Sequence, residues 1–171
     1  MTTSHALYPH RPPMIIELGL PTLMDRTPLL ATYFVCNGWR VAHWRCGETF
    51  CGLCFLDFIK TVAERYGRLH ETHDASAELR GSCGDYDVFS QIDYEPGAAC
   101  VFPQVNYLHT IIRSLPSACF VLNTRPLDRW LKSVHAFPNS FRDRLLDSCP
   151  IYPRCELCGD HRPICQDPRL G

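Results

Sequence analysis

The sequence predicts an α/β fold in three layers, a mostly parallel sheet between two sets of helices. Three observations carry that expectation. Short apolar runs alternate along the chain with segments of helical period, the pattern of strands joined by crossover helices. The hydrophobic fraction, 46% of 171 residues, is enough for one packed core. Finally, Cys119 to Val134 runs from a buried-type strand through a charged turn into an amphipathic helix.

In chain order, Met1 to Pro13 reads as a Pro-containing disordered leader, and Met14 to Leu18 as a first apolar strand broken by Gly19-Leu-Pro21. Leu29 to Cys36 is a helix stopped by Asn37-Gly38, and Trp39 to Trp44 a second strand. Phe55 to Tyr66 follows as a helix, with Phe55, Phe58, Ile59, Val62 and Ala63 on one face. Residues 68–84 show little periodicity and read as surface loop with at most one helical turn. Tyr86 to Ile92 is a third strand. Asn106 to Ser114 is helical with Leu108, Ile111 and Ile112 inward, and 118–123 is a fourth strand. Phe141 to Leu146 continues a last helix, and 151–171 is an irregular Cys- and Pro-rich tail beyond a domain spanning 14–150.

The turn after the fourth strand is suited to an anion. Pro126 has the fixed φ favoured at a first helical position, and Asp128 suits the positive end of the helix. Leu127, Trp130, Leu131 and Val134 form the packing face. Arg125 at the mouth of the turn can fork onto a phosphate, and Ser133 can donate a hydroxyl to the same anion. Parallel sheets bind ligands beyond the carboxyl ends of their strands, where this turn lies.

Arg125 followed by Ser133, after a strand and at a helix start, resembles the 3′-phosphate-binding element of sulfotransferases that use 3′-phosphoadenosine 5′-phosphosulfate (PAPS). Gly38-Trp-Arg-Val-Ala-His-Trp-Arg-Cys46, Gly84-Asp-Tyr-Asp-Val-Phe-Ser-Gln-Ile-Asp93 and Val101-Phe-Pro-Gln-Val105 are similar, in the same order, to segments of that family. The resemblance covers roughly residues 14–150. It implies a P-loop-like sulfotransferase fold, incomplete at its C-terminal end. It also implies PAPS as co-substrate without a required metal, and transfer of a sulfuryl group to a hydroxyl or amine of a small-molecule or glycan acceptor. Arg125 and Ser133 are then cofactor-binding. His43 and Asp93, each at the end of a strand, are the candidate general bases; a packed histidine and a turn or cap residue are the plainer readings.

The first loop departs from the family pattern. Sulfotransferases follow the first strand with Gly-x-Pro-Lys-x-Gly-Thr, whose amides and lysine hold the 5′-phosphosulfate. Here the text is Gly19-Leu-Pro-Thr-Leu-Met-Asp-Arg-Thr-Pro28, with Thr22 in the lysine position, no second glycine and an added acid at Asp25. Arg26 and Thr27 are the remaining cation and hydroxyl that could contact the phosphosulfate. A catalytically impaired domain, binding adenosine 3′,5′-bisphosphate or protein partners only, is therefore the alternative.

Charge and cysteines bound the rest. With 17 basic and 18 acidic residues, no strong field points to nucleic acid. No apolar run approaches a membrane span or a signal peptide, so a soluble, cytoplasmic protein is expected. Eleven cysteines without a compact disulfide framework suggest thiols in a reducing compartment, a local disulfide being the alternative in an oxidising one. Cys46, Cys51 and Cys54 form one thiol cluster, read as buried or loop thiols. Cys155, Cys158, His161 and Cys165 form a second set that could meet zinc as an alternative to no metal at all.

Overall fold

A computed structural model describes residues 12–19, 27–66, 73–94 and 100–136 of the chain. The elements are β1 (Ile15–Glu17), α1 (Thr27–Cys36), β2 (Val41–His43), β3 (Arg45–Cys46), β4 (Thr49–Phe50), α2 (Cys51–Tyr66), α3 (Ser76–Cys83), β5 (Val88–Ser90), α4 (Pro103–Asn106), α5 (Leu108–Ser114), β6 (Cys119–Val121) and α6 (Leu127–Ala136). The α/β class and the four main strands match the alternation seen in the sequence. Most of the first loop, Phe141 to Leu146, the 151–171 tail and Met1 to Arg11 of the leader lie outside the described residues.

The strands lie in the order β4-β3-β2-β5-β1-β6. β2, β5, β1 and β6 are parallel, and β3 and β4 continue the β2 edge antiparallel. Ranked along the chain, the parallel strands fall second, third, first, fourth. That is neither the 3-2-1-4 order of a Rossmann sheet nor the 2-1-3-4 order of a flavodoxin-like one. From β1 the chain passes over β5 to reach β2; from β5 it passes over β1, in the opposite direction, to reach β6. Right-handed crossovers running in opposite directions lie on opposite faces of a sheet. The loops leaving β1 and β5 therefore diverge at their carboxyl ends, the position where open α/β sheets bind ligands.

Helix packing agrees with this. α1 packs over β2 and β5, whereas α2 packs on α3, α4 and α5. The period-2 pleat then divides the strand residues. Ile16, Ala42 and Phe89 join Phe55, Phe58, Ile59 and Val62 of α2, Leu79 of α3 and Ile111 of α5 in one buried cluster. The Phe55 and Phe89 rings meet edge to face at 5.4 Å, a geometry that adds to their area burial. At the amino edge, Arg40 ties β2 to β5 by forking onto Asp87, at 2.7 and 3.0 Å, while also pairing with Asp85.

Several expectations need correction. The segment read as a loop contains α3, whose packing side is Ala75, Leu79 and Cys83 at i, i+4 and i+8. The stripe is too narrow to show as periodicity unless Cys83 counts as apolar. The β3–β4 hairpin was not foreseen, because two-residue strands carry no alternation; Gly47, at φ +64°, makes its turn. In α6 Val134 is buried and Trp130 and Leu131 half-buried, but Leu127 is 67% exposed. Of the residues expected inward on α5, only Ile111 is buried.

The cysteines are corrected as well. Cys46 is bonded to Cys51 and Cys54 to Cys83, and Cys100 is also disulfide-bonded. Cys36 and Cys119 are free and exposed. The Sγ atoms of Cys46, Cys54 and Cys83 lie within 4.8 Å of one another, but as disulfides they offer no thiolate to a metal. Packing of α2 on α3 juxtaposes cysteines 29 residues apart, which no local spacing reveals. These bonds remove the argument for a reducing compartment, since disulfides persist in oxidising ones. Among the described residues, no helix is long and apolar enough to cross a membrane.

Candidate active site

Strand register brings a row of polar side chains together at the carboxyl ends of three neighbouring strands. His43 is paired with Ser90, and Ser90, two residues after Val88, stands level with Glu17, two after Ile15. Glu17 in turn is level with Val121. The last residues of β2, β5 and β1 are thus a histidine, a serine and a glutamate, side by side. The residues before them, Ala42, Phe89 and Ile16, face the α2 core, so the pleat directs this row to the α1 side.

The row is hydrogen-bonded throughout. Ser90 Oγ donates to Glu17 Oε2 at 2.5 Å, and Asn123 Nδ2 donates to Glu17 Oε1 at 3.4 Å. His43 Nδ1 lies 3.4 Å from Ser90 Oγ. Glu17 is 2% exposed, and burial pushes its carboxyl above the usual range while the Ser90 and Asn123 hydrogen bonds partly offset the rise. His43 is half-buried, and desolvation lowers its pKa, which favours the neutral imidazole at pH 7.

Backbone strain concentrates at the same edge. Trp44 and Gln91, immediately after His43 and Ser90, adopt left-handed φ of +60° and +56°. Such residues cost on the order of 1–3 kcal/mol each and tend to gather at functional sites. The Trp44 amide donates to the Ser90 carbonyl at 3.1 Å, and the Trp44 carbonyl accepts from Cys51 N–H at the start of α2. The turn that ends β2 is therefore tied both to β5 and to the Cys46–Cys51 disulfide.

Gly19 opens the first loop directly beside this row. A Cβ there would stand 3.2 Å from Asn123 Cβ and 3.5 Å from Glu17 Oε1, so the chain leaves β1 in tight contact with the end of β6. Two residues beyond Asn123 comes Arg125, half-buried in the connection to α6, and Ser133 is half-buried within α6. The strand, turn and helix predicted around Arg125 are present, with Trp130 N–H closing the first turn onto the Pro126 carbonyl. Thr27 begins α1. Thr22 and Arg26 lie outside the described residues, as do Cys155, Cys158, His161 and Cys165.

Asp93 has a different setting from His43. It is fully buried, three residues past Ser90, and its backbone presses on Gly52 in the first turn of α2. The sequence singled out His43 as a candidate but not the residues bonded in line with it, Glu17, Ser90 and Asn123. Glu17 did carry a signal, being an acid at the last position of a short strand otherwise apolar.

The chemistry open to the row is proton transfer. Serine stands between the acid and the imidazole, whereas a nucleophilic triad needs the histidine between serine and acid. Its hydroxyl is committed to Glu17, which does not suit a nucleophile but does suit a relay. Compared with family models, with curated proteins and with solved structures, the chain shows no match. Its chemistry has to be read from these residues.

Proposed function

We propose that the domain is a sulfotransferase-like protein that holds PAPS at the carboxyl edge of its sheet and transfers the sulfuryl group to a hydroxyl or amine acceptor. The observation that carries this reading is the close approach of Gly19 to Asn123, which sets the start of the first loop beside the strand end leading to Arg125, on the same carboxyl edge of the sheet that bears His43 two strands away from β1. Arg125 and Ser133 serve the 3′-phosphate, and the α1 start with Thr27, together with Thr22 and Arg26, serves the 5′-phosphosulfate. When PAPS is bound, it supplies an activated sulfuryl group and a stable leaving group.

His43 is the general base in this reading. Its neutral imidazole takes the acceptor proton as the acceptor oxygen or nitrogen bonds to sulfur; the bond from sulfur to the bridging oxygen breaks, and that oxygen leaves with adenosine 3′,5′-bisphosphate. Asp93, the other candidate base, is fully buried where the chain beyond β5 passes close to Gly52 of α2.

The first-loop sequence supports a second reading, nucleotide binding without transfer. Thr22 in place of a lysine removes a cation from the position where charge develops, and loss of one such preorganised donor costs on the order of 10²- to 10³-fold in rate. Incubation with labelled PAPS and a panel of hydroxyl and amine acceptors separates the two. Transfer abolished by His43→Ala supports the enzyme; nucleotide binding without transfer supports the second reading; neither rejects both.

A further inference from the structure

We infer that Glu17 and Ser90 are positioning residues that hold His43 in the tautomer with hydrogen on Nδ1, leaving Nε2 as its proton-accepting nitrogen. The argument is one of counting hydrogens. A serine hydroxyl has one hydrogen and two lone pairs, and an ionised carboxylate only accepts. Ser90 spends its hydrogen on Glu17 Oε2. Toward His43 it then offers only a lone pair, so the hydrogen in the Nδ1 to Oγ contact must come from the ring. A neutral imidazole carries one such hydrogen, and Nε2 is bare.

The backbone makes the arrangement rigid independently of the side chains. Two left-handed residues, Trp44 and Gln91, end β2 and β5 directly after His43 and Ser90, and the Trp44 amide is bonded to the Ser90 carbonyl. At Glu17, Asn123 occupies the other carboxylate oxygen, which keeps Oε2 turned to Ser90. The chain Asn123, Glu17, Ser90, His43 thus crosses the ends of three parallel strands and the strand-end loop beside them. When Nε2 accepts a proton, the positive ring is stabilised by the Ser90 Oγ lone pair that already faces Nδ1–H, with the hydroxyl dipole held in line by Glu17. A proton enters at Nε2; no bond within the relay is broken.

This inference deepens the proposed transfer reaction, but its direct test does not depend on that reaction. Nitrogen NMR of the full-length protein, labelled at histidine, identifies which ring nitrogen of His43 is protonated; His43→Gln assigns the signals. At pH 8 the expected result is Nδ1 protonated and Nε2 bare in the wild-type protein, turning to a mixture of tautomers in Ser90→Ala. Nε2 protonated in the wild type, or the same single tautomer in folded Ser90→Ala, overturns the inference. If the protein transfers sulfuryl groups, Ser90→Ala lowers kcat on the order of 10-fold with KM unchanged, less than the 10²- to 10⁴-fold lost without a general base. The expected tautomer without any transfer upholds the positioning role and rejects the enzymatic reading. Transfer with the opposite tautomer does the reverse.

Discussion

Ser90 donates its hydroxyl hydrogen to the buried carboxylate of Glu17 across the seam where β5 and β1 send their connections to opposite faces of the sheet. An acid at 2% exposure is costly unless it is hydrogen-bonded, and this carboxylate accepts from Ser90 and from Asn123. It stands at the carboxyl ends of the strands, outside the α2 core cluster.

Glu17 should titrate above the ordinary carboxyl range. Desolvation raises its folded value and the Ser90 and Asn123 bonds only partly lower it. Its contribution to stability is therefore full below the unfolded carboxyl value of about 4.3, and is lost as pH rises through the folded value. Carbon-detected NMR of the glutamate carboxyls checks the value. In Ser90→Ala the titration should move higher still, and the protein should lose about 1–3 kcal/mol at pH 7, where a buried carboxylate is short of a donor. A Glu17 that titrates at or below 4.3 contradicts this.

Gly52→Ala should destabilise the fold. An alanine replacing glycine inside a helix ordinarily gains about 1 kcal/mol, but here the new Cβ would meet the Asp93 carbonyl carbon and the Tyr94 nitrogen at 2.7 Å. Backbone cannot swing aside as a flexible side chain can. The expected net loss is about 1–3 kcal/mol, read from denaturant melts against wild type. A gain in stability would show that α2 does not approach β5 this closely.

Cys83→Ser should cost more. The Cys54–Cys83 bond joins residues 29 apart, and closing a loop of that size stabilises a fold by about 3–4 kcal/mol through the unfolded chain. Peptide mass mapping without reductant should recover both the 46–51 and the 54–83 pairs from protein made in an oxidising compartment. Quantitative alkylation of all four cysteines under native, non-reducing conditions would contradict the pairing.

What could be read from the sequence follows from range. The α2 face is a local period, and Phe55, Phe58, Ile59 and Val62 are buried as their spacing predicts, whereas Ala63, expected on the same stripe, is exposed. The stop after α1 is equally local. Gly38 takes φ +81° and the Asn37 side chain caps the Tyr33 carbonyl at 2.7 Å. By contrast, the bond between Glu17 and Ser90 spans 73 residues, and depends on β5 inserting between β2 and β1, which no pattern of residues announces. The Cys54–Cys83 pair was hidden in the same way. Leu127 illustrates the opposite error: its spacing fits the α6 stripe, yet the helix turns it outward.

The central claim, an anion-binding nucleotide site at the carboxyl edge of the sheet, is tested most directly by calorimetric titration with adenosine 3′,5′-bisphosphate. The account predicts saturable one-to-one binding, weakened about 10- to 100-fold by Arg125→Ala, the loss expected for a hydrogen-bonded charge pair worth about 1.5–3 kcal/mol. No binding by the folded wild-type protein, or binding that Arg125→Ala leaves unchanged, would contradict it.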